Sequence, residues 1–422
     1  MPSSEILLAE KAAKLFGITW PRETTPAQRK ALLAAGLGWM LDGMDVMLYS
    51  FVLAHLTEHF GMSKGTAGFL NSLTLVASAI GGMFFGLIAD RVGRTRALMA
   101  SILVYSLASG ACGFTRTVAQ LGLFRFVLGL GMGGEWATGA ALVAETWPAE
   151  HRGKALALMQ STWAIGEAVA YFVSGVLLSL GLGWRSVFFF GVLPALIVFW
   201  IRRGVEEPAI WKEKGGGERT SLRLLWENHR IRRYGLLATA MNTCGMFGYW
   251  GLFTWIPAYL MLPVEAGGRG LGVMKTTAWL LIMLVGKWLG YTLFGFVADA
   301  VGRKKTYIAY LLVAAALVPL YGMASSPTWL LILGPFVAFF GTGFFSGFSA
   351  ISSELFPTSI RATAMGLSYN LGRGISAVAP AAIGLLATRF GLGSAFFLTA
   401  VAFFMGAMLA FGLPETKGIE LE

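Results

Sequence analysis

Apolar residues run along this chain in long stretches, which polar and charged residues interrupt at regular intervals. Each stretch holds about 18 residues or more, the length that an α-helix needs to cross a hydrocarbon core roughly 30 Å thick. We predict twelve such spans and number them in chain order: 31–54, 67–89, 95–115, 118–146, 153–181, 186–203, 234–261, 274–298, 305–324, 328–354, 361–388 and 393–412. The pattern predicts an all-α membrane protein with twelve transmembrane helices.

A sequence repeat divides these spans into two sets of six. Gly86–Arg94 reads GLIADRVGR, and the similar GFVADAVGR follows 209 residues later at Gly295–Arg303. The same offset relates three further pairs of residues: Glu145 and Glu354, Arg152 and Arg361, and Glu206 and Glu415. Because one offset holds through half of the chain, we predict two copies of one six-helix unit.

Composition and charge agree with a membrane protein and indicate its orientation. The chain is 56% hydrophobic and 13% charged, far from a soluble globular average. Of its 33 Lys and Arg residues, 24 fall in the two termini and the connections after even-numbered spans, and six fall on the opposite side. The positive-inside rule therefore places both termini in the cytoplasm of a plasma (bacterial inner) membrane. The net charge of +11 then reflects topology, and we predict no nucleic-acid partner.

The predicted organisation has five parts. A cytoplasmic N-terminal segment covers 1–30 and contains a short amphipathic helix at 5–16. A six-helix bundle covers 31–203, a cytoplasmic linker marked by Gly215–Gly217 covers 204–233, a second bundle covers 234–412, and a cytoplasmic tail covers 413–422.

Nothing in the sequence indicates an enzyme. Cys112 and Cys244 lie within apolar spans, with neither metal-ligand spacing nor a disulfide framework. The letters G-x-G-x-x-G occur at Gly129–Gly134, but inside span 4 and without the preceding strand that a dinucleotide site needs. Close packing of helices through small residues is the interpretation we favour there. We predict no cofactor, no metal and no catalytic residue.

The repeated loop resembles a family signature. Two six-helix units, each with a G-x-x-x-D-R-x-G-R-type loop after its second span, resemble the major facilitator superfamily. VEEP after span 6 and PETKG at Pro414–Gly418 resemble its sugar-porter and organic-ion branches. The resemblance implies a cytoplasmic latch, in which Asp90 caps or pairs across the contact between spans 2 and 11. Arg91 and Arg94 would anchor the loop.

The second copy of this loop departs from the first. Ala300 replaces the arginine found at Arg91, which implies a weaker latch around Asp299 and Arg303. The helix-end acids of the repeat are expected to pair with nearby arginines and to brace the gate: Glu145 with Arg152, and Glu354 with Arg361.

Seven ionisable residues lie inside the spans, where a charge is costly and is therefore functional or paired. They are Asp42, Asp45, Arg125, Glu135, Glu167, Lys287 and Arg373. At about 1.5 Å per residue, Lys287 and Arg373 each lie roughly 18 Å from the cytoplasmic ends of their helices, near the midplane. Transporters of this architecture bind substrate at that depth. The four acids belong to the first copy, and both of these cations belong to the second.

The two cations predict an anionic substrate. The planar guanidinium of an arginine suits a carboxylate, so we predict Arg373 as the main carboxylate ligand, assisted by Lys287. A structural salt bridge with one of the acids is the alternative for either cation. The pair resembles that of the organic anion transporters, and NLGRG around Arg373 resembles span 11 of bacterial carboxylate and aromatic-acid:proton symporters.

Aromatic and amide side chains complete the predicted substrate site. They are Trp39, Gln160, Trp163, Tyr249, Tyr369 and Asn370. Aromatic rings stack on planar ligands, although lipid-facing or interfacial positions are the alternative for each of them.

The acids predict proton coupling, because burial favours the neutral form of a carboxyl group. Asp42 and Asp45 share one helical face, and they resemble the D-G-x-D of aromatic-acid:proton symporters. Glu135 in GMGGEW resembles the G-G-E of sialate- and metabolite-type symporters, and Arg125 resembles a span 4 motif implicated in proton transfer. Glu167 is a further candidate, although a structural hydrogen bond would explain it equally well.

Together these features predict a monomeric secondary transporter in the lipid bilayer. Its expected activity is proton-coupled symport of a small organic anion, a monocarboxylate or an aromatic acid, by alternating access. Several alternatives stay open at this point: a neutral sugar, polyol or organic-cation carrier, an organic anion exchanger without proton coupling, and a sensor that binds without net transport.

Overall fold

A computed structural model describes residues 24–62, 64–213, 227–261, 264, 268–271 and 273–421 of the chain. Every extended regular element in these ranges is an α-helix, and they contain no strand. The predicted amphipathic helix at 5–16 and the Gly215–Gly217 run lie outside the described residues.

Each predicted span corresponds to a helix or to a pair of helical segments, and we number the helices as the spans. The helices are α1 Pro26–Phe60, α2 Lys64–Val92, α3 Arg94–Cys112, α4 Val118–Thr146, α5 Ala149–Ser179, α6a Gly183–Phe190, α6b Pro194–Gly204, α7a His229–Phe253, α7b Ile256–Met261, α8 Val273–Val301, α9 Arg303–Met323, α10 Pro327–Leu355, α11a Arg361–Ser376, α11b Ala379–Phe390, α12a Leu392–Ala395 and α12b Phe397–Ala410. A short helix, Ala209–Glu213, follows α6b. Within the described ranges, eleven spans are long and apolar enough to cross a membrane.

Four predicted spans are broken, and in three of them a proline opens the second segment. Pro194, Pro257 and Pro380 occupy the first or second position of α6b, α7b and α11b. A proline lacks the amide hydrogen that a helix interior needs but fits a first turn. A hydrogen bond connects the break in α7 to the break in α11, because Trp255 Nε1 donates to the Pro380 carbonyl over 2.8 Å.

The glycines of span 4 serve helix packing, as we predicted for the G-x-G-x-x-G letters. A methyl group added at Gly129 or Gly133 would collide with the α2 backbone, at Thr74 and Ser78 respectively. The small residues therefore allow α4 and α2 to approach closely.

Two pairs of helices make the most extensive contacts between the N-terminal set (α1–α6) and the C-terminal set (α7–α12). α2 packs on α11a, and α5 packs on α8. The approach is close, because a side chain at Gly86 would collide with Thr363 of α11a, and one at Gly295 would collide with Gly153 and Lys154 of α5. Both contacts occur at the helix ends that carry the repeated charged residues.

Candidate substrate cavities and charged clusters

Six repeated residues form two buried ion-pair groups where the two helix sets meet, each with one glutamate between two arginines. We call the six together the arginine–glutamate cluster, and they are Arg94, Glu145, Arg152, Arg303, Glu354 and Arg361. Glu145 accepts hydrogen bonds from Arg94, at 2.9 and 3.0 Å, and from Arg361 at 2.8 Å. Glu354 accepts from Arg152 at 3.2 Å and from Arg303 at 3.3 Å.

The partners within this cluster differ from the predicted ones. Glu145 bonds Arg361 instead of Arg152, and Glu354 bonds Arg152 instead of Arg361. The first turns of α5 and α11a begin at the contact between the sets, so each of their arginines reaches the glutamate of the opposite set. Each glutamate therefore holds one arginine of its own copy and one of the other copy.

The two aspartates of the repeated loops accept hydrogen bonds from backbone amides near the starts of helices of the opposite set. Asp90 accepts from Thr363 of α11a through its amide at 3.0 Å and its hydroxyl at 2.6 Å, and it pairs with Arg94 at 2.8 Å. Asp299 accepts from the Lys154 amide of α5 at 3.1 Å and pairs with Arg303.

Arg91, which we expected to anchor the first loop, is exposed. The second corner, around Asp299, has fewer hydrogen bonds to the opposite set among the described residues than the first corner, around Asp90, and the loss of that arginine is not the cause. Position 154 carries a lysine where position 363 carries a hydroxyl, so the shortest bond of the first corner has no counterpart among the described residues.

In one repeated pair, the structural counterpart of Glu415 is Glu207 and not Glu206, which the constant offset predicts. Glu415 accepts from the amides of Arg303 and Lys304 at the start of α9. At the start of α3 the corresponding acceptor is Glu207, which bonds the amides of Thr95 and Arg96. Glu206, the residue related to Glu415 by the constant offset, is exposed and pairs with Lys212. The connection after α6b therefore differs in register from the C-terminal tail.

Three acids of the N-terminal set are buried close together, and we call them the carboxylate cluster: Asp42 and Asp45 of α1, and Glu135 of α4. Asp45 Oδ1 accepts from the Ser109 hydroxyl at 3.0 Å. Neither oxygen of Asp42 or of Glu135 accepts a hydrogen bond from any described residue. The Glu135 carboxylate lies against Gly38, one helical turn before Asp42.

Arg125 of α4 is buried near this cluster. Its guanidinium carbon lies 3.8 Å above the centre of the Tyr49 ring, a cation–π contact. It interacts electrostatically with Asp45, so positive charge faces the carboxylate cluster from its own helix set.

Arg373 lies in a small cavity between the two helix sets, which we call the central cavity. Six residues that we predicted from the sequence form much of its wall: Trp39, Gln160, Trp163, Tyr249, Tyr369 and Arg373. The Arg373 residue is 3% exposed, yet its side chain makes no ion pair or hydrogen bond with another described residue. The cavity volume is about 20 Å³, roughly the room that one water molecule needs.

Aromatic stacking gives this cavity its shape. The Trp39 and Trp163 rings lie 4.7 Å apart, and Tyr369 stacks on Trp136 at 3.9 Å. Trp136 in turn donates to Gln160 Oε1 over 3.1 Å, which orients the Gln160 amide.

Asn370 does not line the central cavity. Its amide nitrogen donates to the carbonyls of Gly133, at 3.2 Å, and Gly366, at 3.0 Å. It therefore joins α11a to α4, although we predicted it as a substrate contact.

Lys287 lines a second cavity, which lies between α5, α7 and α8 and has a volume of about 640 Å³. We call it the α5–α8 cavity. Lys287 Nζ lies 3.7 Å from Glu167 Oε2, and Tyr171 donates to Glu167 Oε1 over 2.7 Å. The two cations that we expected in one site therefore line different cavities, and Lys287 has the ion pair that we considered as its alternative.

Sequence reasoning missed three residues of the central cavity: Met246, Tyr291 and Phe345. Tyr291 follows Lys287 by four residues on α8, so helical spacing from a recognised charge could have identified it. Met246 and Phe345 are apolar residues inside predicted spans, and no local signal separates them from core residues.

Comparison with known proteins identifies the family. The sequence profile of the Major Facilitator Superfamily matches residues 35–286 and 270–420. The chain belongs to this superfamily. It is 36% identical over 413 residues to a protein of Cupriavidus pinatubonensis named "Probable 4-methylmuconolactone transporter", covering 96% of this chain and 94% of that protein. As a member of the superfamily it is a transporter and not an enzyme, and it is a multi-pass inner-membrane protein.

Two further similarities extend this picture. The cis,cis-muconate transport protein of Acinetobacter baylyi is 34% identical over 388 residues, covering 89% of this chain and 91% of that protein. A solved structure of a proton:xylose symporter superposes with a TM-score of 0.81 at 20% identity, covering 94% of this chain and 98% of that one. The second similarity concerns the fold alone.

Proposed function

We propose that this transporter carries out proton-coupled symport of a small organic anion by alternating access. The observation that supports the proposal best is Arg373, a buried guanidinium without an ion-pair partner among the described residues, in a cavity walled by aromatic rings. Leaving a buried charge unpaired is costly. A carboxylate substrate would supply the missing partner, and a guanidinium can hold it through two parallel hydrogen bonds.

The named relatives favour the same chemistry. One is named for cis,cis-muconate and another for 4-methylmuconolactone, and both compounds are small unsaturated carbon skeletons that bear a carboxylate. A flat, conjugated acid also suits the aromatic rings of Trp39, Trp163 and Tyr369, which contact one another in tilted and edge-to-face arrangements. We therefore propose an unsaturated or aromatic acid as the substrate.

The proposed architecture has two six-helix bundles, 31–203 and 234–412, joined by the linker 204–233, with both termini in the cytoplasm. The bias in basic residues supports this orientation. It makes the arginine–glutamate cluster a cytoplasmic gate, which holds the bundles together on that side through Asp90 and Asp299 as well. The described conformation is then closed to the cytoplasm, and opening requires these ion pairs to separate. The transporter acts as a monomer in this proposal.

The carboxylate cluster is the proposed proton site. Burying a charged carboxylate without a hydrogen-bond donor is costly, and taking up a proton removes that charge. The ionisable groups that face Asp42 include Asp45, Tyr105 of α3, Glu135 of α4, and Tyr369 and Arg373 of α11a. Because Arg373 interacts electrostatically with Asp42, an anion that binds Arg373 would change the balance of charge at the proton site.

A ligand screen on the purified protein tests this proposal. Thermal stability would be measured at pH 5.5 and 7.5 with muconate, benzoate, nicotinate, sialate, glucose, xylitol and choline, since a bound ligand stabilises a protein by mass action. We expect stabilisation by unsaturated or aromatic acids, larger at the lower pH. Stabilisation by sugars, polyols or choline alone would contradict it.

A transport assay separates carriers from sensors. Protein in liposomes loaded with unlabelled acid should accumulate labelled acid by counterflow, and an inward-directed proton gradient should drive accumulation without loading. A protein that binds the acid but exchanges no label would be a sensor. If uptake does not change with pH or with a protonophore, the interpretation that remains is an anion exchanger without proton coupling.

A further inference from the structure

The α5–α8 cavity is unusual because it is large, mostly apolar and lined by an ion pair. Its volume of about 640 Å³ lies within the range of small-molecule sites, about 300–1,000 Å³. Its walls include Phe172, Ile256 and Leu284, and only Glu167 and Lys287 bring charge into it. A ligand that fits this lining has one anionic end and an apolar body.

Lys287 has unused capacity to bind such an anion. Its ammonium group lies 3.7 Å from Glu167 Oε2, beyond hydrogen-bond distance, and Oε2 accepts no hydrogen bond from a described residue. Its other close neighbours are Phe253, whose ring centre lies 4.6 Å away, and Tyr249, whose ring centre lies 5.4 Å away and whose hydroxyl also interacts with the ammonium group. An ammonium group carries three N–H donors, so it can bind a carboxylate and stay beside Glu167.

Two aromatic residues of α7a lie between this cavity and the central one. Tyr249 lines the central cavity, Phe253 lines the α5–α8 cavity, and their rings lie 5.0 Å apart. Phe253 is the last residue of α7a, directly before the break at Thr254 and Trp255. The partition therefore stands next to the point where α7 can bend.

The central cavity is nearly closed in this conformation, whereas the α5–α8 cavity reaches the protein surface. Phe172 is 72% exposed and Leu281 is 52% exposed at its rim. On helices that cross a membrane, such exposed apolar side chains face the hydrocarbon region. An acid with an apolar body can therefore reach Lys287 while Arg373 is enclosed.

We propose that the α5–α8 cavity is a second substrate subsite, in which Lys287 binds the carboxylate of an apolar-bodied acid before it passes Phe253 and Tyr249 to reach Arg373. This inference rests on the proposed function, because it assumes that Arg373 receives the same acid. Glu167 has a positioning role in this proposal. Its carboxylate, which accepts a hydrogen bond from Tyr171, keeps the Lys287 side chain extended into the cavity.

Counting bound ligand tests the inference. Equilibrium binding of labelled benzoate would be measured up to millimolar concentration, on the full chain in lipid nanodiscs so that lipid can compete. We expect two benzoates per wild-type chain. Leu284→Trp, which fills the cavity, should leave one, and so should the charge-conserving double variant Lys287→Gln/Glu167→Gln. Lys275→Gln, at an exposed lysine near the start of the same helix, should still bind two.

Transport kinetics provide a second measurement. In Leu284→Trp we expect benzoate counterflow to show a KM about tenfold higher with kcat little changed, the loss that one charge-assisted contact would cause. Arg373→Ala should instead keep one benzoate, bound through Lys287, and lose counterflow.

The possible outcomes are distinguishable. One benzoate per wild-type chain, lost in Arg373→Ala but unaffected by Leu284→Trp, would overturn the subsite and leave the proposed function standing. Lipid acyl chains filling the cavity to the exclusion of benzoate would give this result. Absence of benzoate binding at millimolar concentration would overturn the subsite, and absence of binding by every acid in the ligand screen would overturn the proposed function as well.

Discussion

Buried charges at the helix ends differ from buried charges in the middle of the helices. In the arginine–glutamate cluster every member has an ion-pair partner, and all six residues recur at the 209-residue offset. None of the seven charges inside the spans recurs: the positions equivalent to Asp42, Lys287 and Arg373 are Gly251, Ser78 and Ala164. Several of them also lack hydrogen-bond partners among the described residues.

This difference indicates two kinds of role for buried charges. A device that closes the contact between two similar helix sets can use the same residues in both, because it acts at a pseudo-symmetric interface. A substrate or a proton is a single asymmetric object, so the groups that bind it need not recur. Unpaired and unrepeated charges are therefore the candidates for binding and coupling.

The largest effect is expected at Arg373. Arg373→Ala should lower acid uptake about 100-fold or more, because a bidentate pair of charge-assisted hydrogen bonds is lost. Arg373→Lys keeps the charge without the planar fork, and we expect a loss of about tenfold. Uptake in liposomes would be measured at several acid concentrations, with Arg389→Ala, an exposed arginine of α11b, as the control. Wild-type affinity in Arg373→Ala would place Arg373 among the structural charges.

The next effect concerns Asp42. Asp42→Asn cannot exchange a proton, so we expect a proton gradient to drive no accumulation of acid above equilibrium. Counterflow needs no net proton movement and should stay within about threefold of wild type. Glu206→Gln, at an exposed acid, serves as the control. Undiminished gradient-driven accumulation in Asp42→Asn would remove this residue from the proton site.

The arginine–glutamate cluster should respond in stability and conformation. Removing one partner from a buried ion pair costs about 3–5 kcal/mol, so Glu145→Gln should lower the thermal midpoint. Glu354→Gln should lower it less, because Glu354 accepts longer bonds, at 3.2 and 3.3 Å, and its Oε2 has no partner among the described residues.

Spin labels can report the accompanying opening. Glu150 and Ser359 are exposed and occupy equivalent positions at the starts of α5 and α11a. In a background without Cys112 and Cys244, labels at Glu150→Cys and Ser359→Cys should separate more often in Glu145→Gln than in wild type. Unchanged distances in both glutamate variants would mean that the cluster does not hold the contact closed.

The smallest effect tests the difference between the hydrogen bonds that Asp90 and Asp299 accept from the opposite helix set. Thr363→Val removes the 2.6 Å hydroxyl bond to Asp90 and leaves the amide bond in place. We expect a loss of about 1.5–3 kcal/mol in stability, as for one hydrogen bond to a charged group. Thr416→Val is the matched control, since that buried hydroxyl has no partner among the described residues. Equal effects of the two substitutions would contradict the capping role of Thr363.

The helices follow closely from hydropathy, because in a bilayer only a helix satisfies every backbone hydrogen bond of an apolar stretch. Span 4 has the predicted bounds, and the other spans differ by a few residues at their ends. The breaks in α6, α7 and α11 were not predicted, although Pro194, Pro257 and Pro380 were visible. A proline inside a membrane helix does not always break it, as Pro319 in α9 shows.

The grouping of the charges was harder to predict. The rise per residue gives depth along a helix, and by depth Lys287 and Arg373 appeared to share one site. Rotation about the helix axis and the placement of neighbouring helices put Lys287 beside Glu167 and leave Arg373 in the central cavity. Tyr249 and Phe253 of α7a stand between the two cavities, and no spacing in the sequence predicts that partition.

The sequence by itself determined the membrane-spanning helices, the repeat, the family and the set of residues that form the buried charged clusters. These depend on hydropathy and on residue identity, both of which are local. The tertiary structure alone decided which charges meet: Glu145 pairs with Arg361 across the two helix sets, Glu167 pairs with Lys287, and Arg373 forms no salt bridge with a described residue. Electrostatic partners are set by distances of 3–4 Å in space, and packing between segments distant in the chain creates those distances.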